Sequence, residues 1–206
     1  WDKVPKSVAN YIKNGTPEQE TPKDLSDRNI VNQLILHVDI AVESACEKAR
    51  EMGFNTMLLS TFIEGESREV GSMIAAISKE VQFYNRPIQK PAAIISGGEV
   101  TVKVNIPDPG QGGPSQQFAM GAAAMLKDVD NIVIIGVDTD GTDGPTDMAG
   151  GIVDSSTIER ADELGIDIFD YLNKFNESVA LQKLGDSVYT GPTGTNVNDL
   201  RVALIV

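Results

Sequence analysis

Four aspartates, Asp138, Asp140, Asp143 and Asp147, crowd the stretch GVDTDGTDGPTD, separated mainly by Gly, Thr and Pro and entered from the apolar run NIVIIG. Carboxylates this close repel one another unless a cation, a proton or hydrogen-bond donors relieve them. An EF-hand is excluded by register. Counted from Asp138, the sixth position is Asp143 where glycine is required, and the twelfth is Ala149 where glutamate is required. Magnesium suits the stretch better, because that ion keeps several waters and needs only one or two carboxylates beside substrate phosphates. The competing reading is that Asp and Thr side chains here cap turns and helix ends.

Two further stretches have the composition of anion sites. In PDPGQGGPSQQ, Gly110, Gly112 and Gly113 strip side chains from the chain just before a helix, whose first N–H groups and positive dipole end would face a phosphate or carboxylate. The stretch is neither a dinucleotide fingerprint, since Ser115 stands where the third glycine belongs, nor a P-loop, since no Gly-Lys-Ser/Thr follows. A flexible turn before a helix would look the same. Residues Ser96, Gly97, Gly98 and Glu99 are expected to form a second loop at a strand end. A third, TGPTGTNVNDLR, gathers Thr193, Thr195, Asn196 and Asn198 around Gly191 and Gly194; these side chains serve a ligand or bond only to their own loop. The single histidine, His37, and the single cysteine, Cys46, provide no catalytic set by spacing, and no intramolecular disulfide can form.

The elements that must position these loops alternate. Residues 2–14 have helical apolar spacing through Val4, Val8, Tyr11 and Ile12, followed by the linker GTPEQETPKDLSD. NIVNQLILHV reads as a strand, DIAVESACEKAREMG as an amphipathic helix stopping at Gly53, and NTMLLSTF as a second strand. A helix through Val70, Met73, Ile74 and Ile77 leads to the strand AAIISGG. EVTVKVNI then alternates as an edge or antiparallel strand. PSQQFAMGAAAMLKD is a helix with Pro114 in its first turn, and NIVIIGV a fully buried strand. Beyond the acidic loop, SSTIERADELG has capping-box spacing at Ser156 and Glu159, two short helices follow, and LRVALIV is a final strand.

This order predicts an α/β fold: a three-layer, Rossmann-like, mostly parallel sheet with helices on both faces and one or more antiparallel edge strands. Ligands of such sheets sit beyond the carboxyl ends of the strands, where the three loops are expected. Residues 1–27 read as a helix and linker left from a preceding domain, and 28–206 as the α/β domain. The first residue is Trp1, so the chain is expected to begin inside a longer one. A net charge of −13 argues against nucleic acid or an anionic membrane as a partner. The lone cysteine, and the lack of a signal peptide or membrane-length apolar run, lead us to expect a cytoplasmic protein.

The run SGGEVTV, GQGGPSQQFAMGAA, GVDTDGTDGPTDMAGGIVD and TGPTGTNVNDLRVALIV resembles the MOFRL module of the glycerate 2-kinases over residues 92–206, and the upstream part resembles the middle region of that family. The resemblance implies ATP- and magnesium-dependent phosphorylation of D-glycerate on the 2-hydroxyl, giving 2-phosphoglycerate, across a cleft shared with the protein's own N-terminal domain. It implies that Asp140 and Asp143 hold Mg2+ and act with Asn198 in catalysis. Ser96, Gly97, Gly98, Glu99, Gly110, Gly112, Gly113, Ser115, Gln116, Thr193 and Asn196 would bind the cofactor. The isolated chain is expected to be inactive; a homodimer is compatible with the family. One departure stands out: Pro114 occupies the place of an arginine in the family's Gly-Gly-Arg-Asn-Gln-Glu loop, so an anion would need a charge from elsewhere, such as Arg201. The alternatives are a hydroxypyruvate reductase-like NAD(P)H oxidoreductase and a non-catalytic docking domain.

Overall fold

Apolar alternation makes a strand only where a neighbouring strand takes up its backbone groups, and the beginning of the chain shows the rule at work. A computed structural model describes all 206 residues, which divide into units Trp1–Ile35 and Leu36–Val206. In the first, α1 (Lys6–Lys13) and a 3₁₀ turn at Pro17–Gln19 bury no residue. The strand expected over 29–38 is not formed. Its residues up to His37 pair with no strand, and Ile30, Val31, Leu34 and Ile35 are exposed.

The second unit contains α2 (Val38–Glu51), β1 (Asn55–Glu66), α3 (Ser67–Tyr84), β2 (Ala92–Thr101), α4 (Pro114–Ala123), β3 (Ile132–Asp138) and β4 (Gly150–Asp154). It continues through α5 (Ser156–Glu163), α6 (Ile168–Asn173), α7 (Glu177–Leu184), β5 (Ser187–Val188) and β6 (Asp199–Ile205). The α/β class and the helices on both sheet faces are as expected. Spatial order is β1-β2-β6-β3-β4-β5. Strands β1, β2, β3 and β5 share one direction, but β6 and β4 run against them, so β1–β2 is the one parallel pairing. The final strand is therefore central, inserted between β2 and β3, and antiparallel character is not confined to the edges.

Two local expectations are also corrected. Ser96 to Glu99 is no loop: β2 runs straight through it, paired with β1 on one side and β6 on the other. The capping box at Ser156 and Glu159 is not made; the N-cap is Ser155, and Ser156 Oγ donates to Asp154 instead at 2.7 Å.

The larger core lies where α3 and α4 cover one sheet face, with Ile74, Phe118 and Met120 against Ile94, Ile134, Ala203 and Ile205. On the other face, Val42, Cys46 and Ala49 of α2 cover Ala93 and Ile95. Helices α3 and α4 touch backbone to backbone. A Cβ on Gly71 would collide with the Phe118 carbonyl oxygen, and one on Gly121 with that of Arg68. No helix is long and apolar enough to cross a membrane.

Glycine in an open helix is less stable than alanine by up to about 1 kcal/mol. At this crossing the sign should reverse: Gly71→Ala is expected to lower unfolding free energy by about 1–3 kcal/mol through overpacking, measured by urea denaturation.

Candidate functional site

Because β2 and β3 leave the sheet at the end where β4 and β6 enter it, the segments 102–113, 139–149 and 189–198 gather at one sheet end. Topology thus brings the glycine-rich, acidic and tail loops together as the sequence implied. What they do there differs from the expectation.

Asp143 does not point outward to a cation. It is buried, with Oδ1 accepting from Ser115 N at 3.0 Å and Oδ2 from Gln116 N at 2.8 Å. These are N–H groups that the first turn of α4 leaves without helical partners, so the carboxylate is a remote N-cap and meets the positive end of the helix dipole. The anion expected at this helix start is therefore supplied from within the chain. Gly113 makes room for it, since a Cβ there would strike the carboxyl group. Gln116 ties the loops further, donating Nε2 to the Asp143 carbonyl at 3.3 Å and to Thr146 Oγ1 at 3.0 Å. Burial nevertheless raises the Asp143 carboxyl to about 6, against the pull of the Ser115 and Gln116 N–H groups.

Asp140 is likewise committed. Its Oδ1 accepts from Thr142 N and Oγ1 at 2.8 and 2.9 Å, and its Oδ2 from Asn196 Nδ2 at 2.9 Å. The tail loop is closed by similar bonds: Thr193 Oγ1 donates to the Thr139 carbonyl at 2.6 Å, and Asn198 N donates to Asn196 Oδ1 at 3.1 Å. Asn198, at φ 66°, presents a side chain free of such bonds. No group of three or more acidic, histidine or cysteine side chains is arranged to hold a metal. Asp143 is buried with both oxygens turned to the amides of α4, whereas Asp140 is hydrogen-bonded to Thr142 and Asn196 at the exposed side of the loop.

The remaining expected binding residues lie in the sheet. Gly97 lets α2 approach, since a Cβ would meet Val38 and Val42, while Gly98, at φ 129°, passes too close to the Ile63 backbone for any side chain. Ser96 is buried and Glu99 exposed. Arg201, the candidate substitute for the missing family arginine, is only 1% exposed; its register partners are Ser96 and Gly136. It pairs with Asp199 and stacks on Phe118, with the guanidinium carbon 5.5 Å from the ring centroid. An arginine sealed beneath α4 cannot replace a surface guanidinium.

Sequence reasoning missed Glu177, the first residue of α7. It is 1% exposed, Oε1 accepts from Gln117 Nε2 at 3.0 Å, and a Cβ on Gly112 would collide with Oε2. Burial raises this carboxyl to about 7, partly offset by the bond from Gln117. Its signal was invisible in NESVALQKL, where an acid in the first helical turn reads as a dipole partner. Gln116 and Gln117 thus link two buried carboxyl groups on either side of the Gly112–Gly113 segment.

Asp143→Ala is expected to lower unfolding free energy by about 2 kcal/mol in urea, with Asp143→Asn losing less because one acceptor is kept. Glu177 gives a pH signature. Its folded value of about 7 lies above the ordinary 4.5, so the folded chain holds a proton that the unfolded chain releases, and stability falls as pH rises through that window. Glu177→Gln should flatten this part of the dependence and stabilise the chain at pH 8, by on the order of 3 kcal/mol. Thermal melts at pH 5 and pH 8 measure it.

Comparison with known proteins gives the loops a context. Residues 92–199 match the model of the MOFRL family. The chain is 47% identical over 188 residues to the D-glycerate 2-kinase of Thermotoga maritima, covering 91% of this chain and 44% of that protein. It is 39% identical to the glycerate 2-kinase of Pyrococcus horikoshii, covering 100% of this chain and 46% of the relative. A crystal structure of glycerate kinase from Thermotoga maritima superposes with a TM-score of 0.84 at 45% identity, covering 99% of this chain and 47% of that one. The chain therefore spans about half the length of the relatives it matches. With its glycine-rich, acidic and tail loops assembled at one end of the sheet and a family match over more than half its length, the chain belongs to the MOFRL family.

Proposed function

We propose that this chain forms one side of a glycerate 2-kinase site, transferring the γ-phosphoryl group of ATP to the 2-hydroxyl of D-glycerate. The observation that carries the reading is 47% identity to a D-glycerate 2-kinase across 91% of the chain, with the three loops meeting at one sheet end. Phosphoryl transfer demands chiefly positioning of donor and acceptor and neutralisation of developing charge, which convergent loops on a rigid sheet can supply. The chain's own residues contribute a pre-set loop framework. Asp143 fixes α4 against the acidic loop, and Asp140 and Asn196 fix that loop against the tail. Asn198 is the side chain left free to orient a ligand hydroxyl.

Magnesium, on this reading, arrives with the nucleotide rather than in a carboxylate cage built from Asp140 and Asp143. The cationic charge opposite the phosphates comes from the facing domain, since Pro114 carries none and Arg201 is sealed. A nicotinamide-dependent reductase has less support: the first amides of α4 already bind Asp143, leaving no helix start for a dinucleotide pyrophosphate. The protein's setting is proposed to be cytoplasmic.

A coupled assay for ADP release with D-glycerate should give little or no turnover with this chain and clear turnover with a protein carrying both domains, because half of a cleft cannot enclose two substrates. Full turnover by this chain, or oxidation of NADH with hydroxypyruvate, would overturn the reading.

A further inference from the structure

The turn between α5 and α6 shapes a recess of about 430 Å3, walled by Ala124, Ile158, Ala161, Ile166, Ile168 and Phe169. It lies away from the loop end of the sheet: Asp143 meets the first turn of α4, whereas Ala124 is the C-cap of that helix. Ala161, Ile166 and Ile168 are buried and form a hydrocarbon floor, with Lys127, Asp162 and Asp167 standing around it. Phe169 does the opposite. It is 63% exposed although Ile168 and Leu172 of the same helix are buried, and no ring or cation of the chain stacks on it. The backbone that carries it is fixed, because Asp167 Oδ1 accepts from Phe169 N at 2.9 Å and from Asp170 N at 3.1 Å and so caps α6.

Phe169 lines this recess and also a smaller one shared with Arg68, Ser72 and Leu172, so knob and hole border each other. Leu164, the C-cap of α5, and Met125, next to Ala124, are further exposed apolar side chains beside them in sequence. Adjacency decides the occupant. When a protrusion and a hole lie side by side on one surface, a two-fold axis between them places each protrusion in the hole of the other copy, which is the self-complementarity that a closed dimer requires. A small ligand would leave the ring in water. Charge points the same way. Two chains of net charge −13 repel each other, so a contact between them needs cations set against acids. Lys127 and Asp162 flank the recess, both exposed and only loosely paired at 3.6 Å, and across the axis each lysine can meet the carboxylate of the other copy.

We propose that this face is a two-fold interface between two copies of the chain, with Phe169 of each entering the recess of the other and Lys127 of each facing Asp162 of the other. Phe169 is its central anchor, the role that buried aromatic residues take in protein interfaces. The three loops at the opposite end of α4 stay outside the contact, so the inference stands apart from the phosphoryl-transfer reading.

The test is sedimentation velocity of the full chain over a wide range of concentrations, which should show a monomer–dimer equilibrium. Phe169→Glu, at a position whose side chain the fold leaves in water, should weaken association at least about tenfold while leaving the melting temperature of the monomer unchanged. Phe62→Glu, which replaces a still more exposed ring on β1, should leave association as it is. Lys127→Asp and Asp162→Lys each set like charges across the axis, so either variant alone should be monomeric where the parent chain is dimeric. An equimolar mixture of the two makes the facing charges opposite again and should recover the dimer, which a role confined to one chain cannot produce. A chain that stays monomeric throughout, a dimer insensitive to Phe169→Glu, equal loss with Phe62→Glu, or no recovery on mixing would each overturn the proposal, whatever the ADP assay reports.

Discussion

The carboxylate of Asp143 on the first amides of α4 is the constraint from which the rest of this sheet end follows. A buried carboxyl group must be paid for by donors, and here the donors are two N–H groups that the helix cannot satisfy itself. One contact therefore removes two liabilities. It also sets the distance between the acidic loop and α4, and so where Gly112 and Gly113 run beside the buried Glu177.

That contact depends in turn on how closely the backbones approach. Gly71 and Gly121 let α3 and α4 meet without side chains between them, Gly136 admits Phe118 against the sheet, and Gly113 admits the carboxyl group. Moving α4 outward by the width of a methyl group would separate Asp143 from Ser115 N. These glycines thus each have a packing role, and Gly112 has one too, leaving room for the Glu177 carboxyl group.

The electrostatics of the site follow from burial more than from net charge. Asp143 and Glu177 are buried beside amide donors, so both hold protons more tightly than exposed acids do, the charge of Arg68 offsetting only part of the effect at Glu177. Asp199 shows the same direction even beside Arg201, because burial penalises both charges of that pair. The acidic loop, in contrast, relieves its crowding at Asp140 by hydrogen bonds from Thr142 and Asn196, which hold that carboxyl below the usual range. Three solutions to one problem, capping, protonation and local hydrogen bonding, occur within a single sheet end.

What the sequence determined by itself was local: helix and strand periods from α2 to β6, the α/β class, and the three loops rich in Gly, Asp, Thr and Asn. These are legible because apolar period and turn chemistry are properties of neighbours along the chain. It overextended one such signal at 29–38, where alternation had no partner strand to pair with, and it read the glycines in SGGE as a loop when they allow close backbone approach within β2. Tertiary structure alone decided the central place of β6, the sealing of Arg201, the turning of Asp143 inward to α4 and the burial of Glu177. Each of those depends on which distant segment supplies a hydrogen-bond donor or excludes water, and such long-range pairing leaves no period in the sequence.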